Sequence, residues 1–105
     1  MHVIIYRDAE GNEPFTDWLH ALRDASTRRR ILLRIFRLES GHPGDCKPVG
    51  GGVSKLRFFF GPGYRVYYGA DGDTIVVLLC GGDKSSQHRD IRKAQAYWKE
   101  YLRHA

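Results

Sequence analysis

Apolar and polar positions alternate in two runs near the middle of the chain, 54–60 and 64–68, separated by Gly61-Pro62-Gly63. That order predicts a β-hairpin. Strand side chains point alternately to the two faces, so Lys55, Arg57 and Phe59 share one face and Leu56, Phe58 and Phe60 the other. On the returning strand Arg65 and Tyr67 oppose Tyr64, Val66 and Tyr68. Pairing residues whose numbers sum to an even value, such as Phe59 with Arg65, merges the apolar sets on one face. The other face then carries Lys55, Arg57, Arg65 and Tyr67. A one-residue slip would mix cations into the apolar face, so the pattern selects this register. Cations across a strand pair repel one another, and a face that retains them suggests a polyanion ligand.

The same pattern predicts the remaining elements. Residues 3–6 are β-branched and aromatic, as in a first strand. Glu13-Pro14 opens a helix with proline in its first turn, capped by Asn12 or Glu13. There Phe15, Trp18, Leu19 and Leu22 recur at helical spacing as a core-facing stripe. Ser26 is the expected N-cap of a second helix running to about Glu39. Ile31, Leu32, Ile35, Phe36 and Leu38 cover one side of it, with Arg30, Arg34 and Arg37 on the opposite side. Residues 41–52 hold five Gly and two Pro and read as a loop. After a turn at 70–73, the run 74–80 is apolar at nearly every position, as in a central strand covered on both faces. Ser85 or Ser86 caps a last helix with an Ile91, Ala94, Trp98, Tyr101 stripe. The order β-α-α-β-β-β-α gives one α+β domain over residues 1–105: an antiparallel sheet with two N-terminal helices and a C-terminal helix packed on it.

Charge sharpens the picture. The formal net charge is +5, yet residues 1–25 carry −3, residues 26–69 carry +7 and residues 70–105 carry +1. The basic excess coincides with the second helix and the hairpin. Such a patch points first to nucleic acid, then to an acidic protein or a membrane surface. The cysteines, Cys46 and Cys80, form no Cys-x-x-Cys pair and no zinc-type spacing with the five histidines. Cys80 ends an apolar run and is expected to be buried. The N-terminal apolar run is far too short for a signal peptide or a membrane span, so a cytoplasmic protein is expected.

No Walker loop, nucleophile elbow or His-Glu-x-x-His is present. Neither a metal nor a cofactor is expected. What remains is a set of cations on the sheet and a polar segment, 84–90, where the chain leaves it for the last helix. A metal-free ribonuclease needs a base for the 2′-hydroxyl, cations for the phosphorane and an acid for the leaving oxygen. Lys55, Arg57, Arg65 and Lys84 suit the cationic roles, and Arg can hold two phosphate oxygens at once. Histidine is the side-chain type suited to proton transfer near neutrality, which makes His88 a candidate, and Asp90 lies two residues on. Arg30, Arg34 and Arg37 would add phosphate contacts, and Phe59 and Tyr67 would offer rings for base stacking.

Lys55-Leu56-Arg57, Phe60-Gly61-Pro62-Gly63-Tyr64-Arg65-Val66-Tyr67-Tyr68, the apolar strand and Gly82-Asp83-Lys84-Ser85 together resemble the RelE/ParE superfamily of bacterial toxins. The likeness is greatest to its HigB-like branch of addiction-module killer proteins, and it extends over nearly the whole chain. It implies a ribosome-dependent endoribonuclease that cuts translated mRNA, neutralised by a cognate antitoxin that commonly carries a helix-turn-helix domain. By position, Lys55 and Arg57 match the paired basic strand residues, Arg65 the arginine of the Gly-Tyr-Arg motif, and Lys84 an arginine of the RelE branch. No tyrosine lies between 69 and 96 to match the catalytic tyrosine of many RelE members. Gln87, His88 and Asp90 occupy that region, and other branches use His or Asp there. Two other readings stand beside this one: a ParE-like inhibitor of DNA gyrase, and a non-catalytic RNA-binding module.

Overall fold

Strand β5 (Ile75–Gly82) organises the molecule, because a run that is apolar on both faces needs cover on both. In the computed structural model, which describes residues 1–104, Val76 and Leu78 face one hydrophobic cluster and Val77, Leu79 and Cys80 face another. The other elements are β1 (His2–Ile5), α1 (Pro14–Ala21), α2 (Ala25–Glu39), β2 (Cys46–Gly50), β3 (Val53–Arg57) and β4 (Arg65–Asp71). A 3-10 turn (Lys84–Ser86) leads into α3 (Gln87–Arg103). The strands form one sheet in the order β1-β5-β4-β3-β2. Pairs from β2 to β5 are antiparallel, and β1 lies parallel to β5. The fold is α+β, with helices on both faces of the sheet.

The first cluster joins Phe15 and Leu19 of α1 and Ile31, Ile35 and Leu38 of α2 to Leu56, Phe58, Val66 and Tyr68. The second joins Ala94 and Trp98 of α3 to Val53, Tyr67 and Val77. Two glycines let the indole rings approach the sheet. A Cβ on Gly69 would stand 2.4 Å from the Trp98 ring, and one on Gly81 2.2 Å from Trp18.

Several expectations are corrected. Residues 46–50 are an edge strand rather than part of a loop, and Pro48 is tolerated because an edge strand has no neighbour on one side. The hairpin strands end at Arg57 and resume at Arg65, so Arg57 rather than Phe59 pairs with Arg65. The even-sum register holds, with Leu56 opposite Val66, and the Phe58 N–H donates to the Tyr64 carbonyl at 3.0 Å. Asp24, not Ser26, caps α2: its carboxylate accepts from the Ser26 N–H and the Thr27 hydroxyl. Ile31, Ile35 and Leu38 already fill the inner side of α2, leaving Leu32 and Phe36 48% and 62% exposed. No helix among the described residues is long and apolar enough to cross a membrane.

Candidate functional site

The site forms where β3, β4 and the start of α3 meet. Asp83 accepts from the Ser85 N–H at 2.8 Å, turning the chain off β5 into the 3-10 turn. The Ser85 hydroxyl, which donates to the same carboxylate, and the Ser85 N–H hold the Asp83 carboxyl below its ordinary range. The turn delivers Gln87 over the sheet. Its Oε1 accepts from Lys55 Nζ at 2.9 Å and from Arg65 Nε at 3.0 Å. Arg65 also folds back over the hairpin turn, donating through Nη1 to the carbonyls of Gly63 at 2.6 Å and Tyr64 at 3.4 Å. Gly63 has φ +78°, and a Cβ there would lie 3.0 Å from Arg65 Nη1, so the turn needs glycine to admit the guanidinium.

Arg57 makes a two-point ion pair with Asp45, Nε to Oδ2 at 3.0 Å and Nη2 to Oδ1 at 3.1 Å. The guanidinium lowers the Asp45 pKa. Partial burial, reinforced by the cations of Arg65 and Arg57, pushes the Lys55 ammonium below the ordinary lysine value. Lys84 is exposed and engages no side chain among the described residues. Arg57, Arg65 and Lys84 line one open groove of about 500 Å³ with Phe58, Phe59 and the Gly61–Gly63 turn. The arrangement can bind anions: two cations already converge on a single oxygen.

The structure distributes the sequence-derived candidates unevenly. It brings Lys55, Arg57, Arg65, Lys84 and Gln87 together, and Phe59, 81% exposed, stands at the groove with Arg57 over its ring at 5.5 Å. His88 is exposed on the first turn of α3 and makes no side-chain hydrogen bond among the described residues. Asp90 is turned elsewhere. It is 7% exposed, accepts from the Ser86 hydroxyl and lines a separate polar cavity of about 590 Å³ with Trp18, Arg89 and Lys93. Its place in the cation cluster is therefore corrected: Gly82, without a side chain, leaves it room under β5 instead.

Tyr67 is also corrected. α3 covers that part of the face, the ring is fully buried, and its hydroxyl has no hydrogen-bond partner. Burial raises its pKa, and the Asp90 charge adds to the shift. It has no surface to offer a base. Arg34 is not on a free cationic ridge either. Its guanidinium turns inward to the carbonyls of Arg57 at 2.8 Å, Pro43 at 3.0 Å and Asp45 at 3.2 Å, and stacks over Phe58. Arg30 and Arg37 remain exposed and rim an adjoining groove with Leu33 and Phe59; Arg30 lies 3.6 Å over the Phe60 ring.

Asp45 escaped the sequence reading. Its signal was present in the β2–β3 register: Cys46 pairs with Leu56, which puts Asp45 opposite Arg57. Among the described residues, no three His, Cys, Asp or Glu side chains converge to hold a metal ion. Cys46 and Cys80 are free thiols; burial raises the Cys80 thiol to about 12.

A family model described as Phage derived protein Gp49-like (DUF891) matches residues 17–99. An uncharacterized protein of Haemophilus influenzae is 43% identical over 86 residues, covering 82% of this chain and 87% of that protein.

Proposed function

The chain belongs to the Gp49-like family of phage-derived proteins, a toxin-like family of RelE/ParE type, and we propose that it is the toxin of a type II toxin–antitoxin system. It acts in the cytoplasm as a HigB-like, metal-independent mRNA endonuclease on the ribosome, and a cognate antitoxin, a helix-turn-helix protein, neutralises it. The carrying observation is the convergence of Lys55 and Arg65 on one oxygen, with Arg57 and Lys84 bordering the adjoining groove. A phosphorane gathers negative charge on its non-bridging oxygens. Preorganised cations stabilise that charge without having to reorganise during the reaction.

In this reading the phosphate replaces the Gln87 amide oxygen between Lys55 and Arg65, and Lys84 closes from the open side. Phe59 offers its exposed ring to a base, and Arg30 and Arg37 hold flanking phosphates. His88 is the proton-transfer group that the reading retains, since Asp90 faces another cavity. Arg65→Ala should lower mRNA cleavage on ribosomes by about 10²–10³-fold, the scale for removing one charge-stabilising donor. It should also relieve growth arrest while leaving the fold and antitoxin binding intact. A folded Arg65→Ala protein of full toxicity overturns the assignment. Inhibition of gyrase supercoiling with intact cellular mRNA would favour a ParE-like activity instead.

A further inference from the structure

The four cations of the site are not equally available in the unliganded protein. Among the described residues, Lys55 and Arg65 share a neutral amide oxygen, Lys84 engages no side chain, and of the four Arg57 alone is held by a full negative charge. The Asp45 carboxylate fills the Arg57 fork in the two-point geometry that a phosphate uses. Both side chains are only about a quarter exposed, 25% for Arg57 and 27% for Asp45.

Their backbones are secured independently of the ion pair. The Arg57 N–H donates to the Asp45 carbonyl at 3.0 Å. The Arg34 guanidinium clasps the carbonyls of both residues. Removing the carboxylate therefore leaves the β2–β3 register in place and frees only the fork.

We propose that Asp45 determines the anion specificity of this site, acting as an internal competitor that a phosphodiester of single-stranded RNA must displace from Arg57. The inference rests on the ribonuclease reading for its substrate class. Exchanging the Gln87 amide for a phosphate is a gain, because charged acceptors bind more strongly than neutral ones. Exchanging Asp45 for a phosphate replaces one anion by another and gains little. A lone phosphate is thus drawn to Lys55, Arg65 and Lys84. Arg57 changes partner only for a polyanion that the other three already hold, so small anions gain little from Arg57 and an RNA strand gains more.

The test is equilibrium binding of inorganic pyrophosphate and of a short single-stranded RNA to wild type, Asp45→Asn and the Asp45→Asn/Arg57→Gln double variant, at one salt concentration. Asp45→Asn should tighten pyrophosphate binding about fivefold or more, the scale of a released, partly exposed ion pair plus a new charged contact. The gain on RNA should be smaller, and both gains should vanish in the double variant. A folded Asp45→Asn protein that binds pyrophosphate no better than wild type overturns the proposal. So does a gain that survives Arg57→Gln, which would reflect net charge alone.

A second readout needs no variant. The Arg57 Nε–H resonance of the wild-type chain should shift on RNA binding, and an unmoved resonance overturns the exchange. None of these measurements requires cleavage. A wild-type protein that cuts no RNA removes the ribonuclease reading, whereas an unchanged pyrophosphate affinity removes only the role of Asp45.

Discussion

Gly69 is the position where a single methyl group should matter most. Its missing Cβ is the space into which the Trp98 ring is pressed. Overfilling a packed core costs about 1–3 kcal/mol, so Gly69→Ala should lower the urea midpoint while leaving the m-value unchanged. The sequence identifies Trp98 as a core residue but not the glycine beneath it, because a contact across a sheet leaves no periodic trace. Tyr67 illustrates the same limit. Alternation assigns it correctly to the face of Lys55 and Arg65, yet cannot say that the body of α3 buries Tyr67 while only Gln87, at the helix start, reaches those two. Arg34 reads as part of an outward, phosphate-contacting ridge by its position on the helix. Only the folded loop at Pro43 and Asp45 supplies the carbonyls that turn it inward.

Elements were legible where the pattern was long. α1, α3 and β5 carry stripes or runs that admit one reading, and they lie where the pattern puts them. Short signals were less decisive. Both Asp24 and Ser26 are good N-cap residues, and the backbone settles the choice: Asp24 is extended, with φ −84° and ψ 116°, while Ser26 is already helical. Asp24→Ala should therefore cost about 0.5–2 kcal/mol, the range for losing a cap. Ser26→Ala should change stability by less than about 0.5 kcal/mol. A pair of thermal melts separates the two. β2 went unread because its proline and glycine, with Gly51 and Gly52 just beyond, carry loop composition. Its strand character comes from hydrogen bonds to β3 rather than from its own propensity. That one omission also hid Asp45, so the cationic half of the site was readable and its internal counter-charge was not.

Across the whole molecule, acid should be more disruptive than the basic composition suggests. Asp8, Glu13, Asp24, Asp45 and Asp83 all have pKa values lowered by hydrogen bonds, those of Glu13 and Asp45 made by arginine. Each binds a proton more weakly in the folded state than in the unfolded one. Falling pH therefore drives protons onto the unfolded chain. The stabilisation is complete above the ordinary carboxylate values of about 4–4.5 and is lost as pH drops through the lower folded ones. Urea unfolding at neutral pH and at about pH 3 should show a lower midpoint in acid. An unchanged midpoint would mean that these carboxylates are equally well solvated in the unfolded chain.

The parallel pairing of β1 with β5 also sets a timetable. Among the described strands, β1 is made first and pairs with β5, which is made last. At translation rates of about 5–20 residues per second, residues 2–5 wait about 4–15 s for residues 75–82 to be made. Through that interval Val3, Ile4 and Ile5 have no strand to pair with. Lys55, Arg57 and Arg65 are likewise made before Lys84 and Gln87. The cationic site therefore cannot be assembled until the chain has been made well past the hairpin that carries three of its cations.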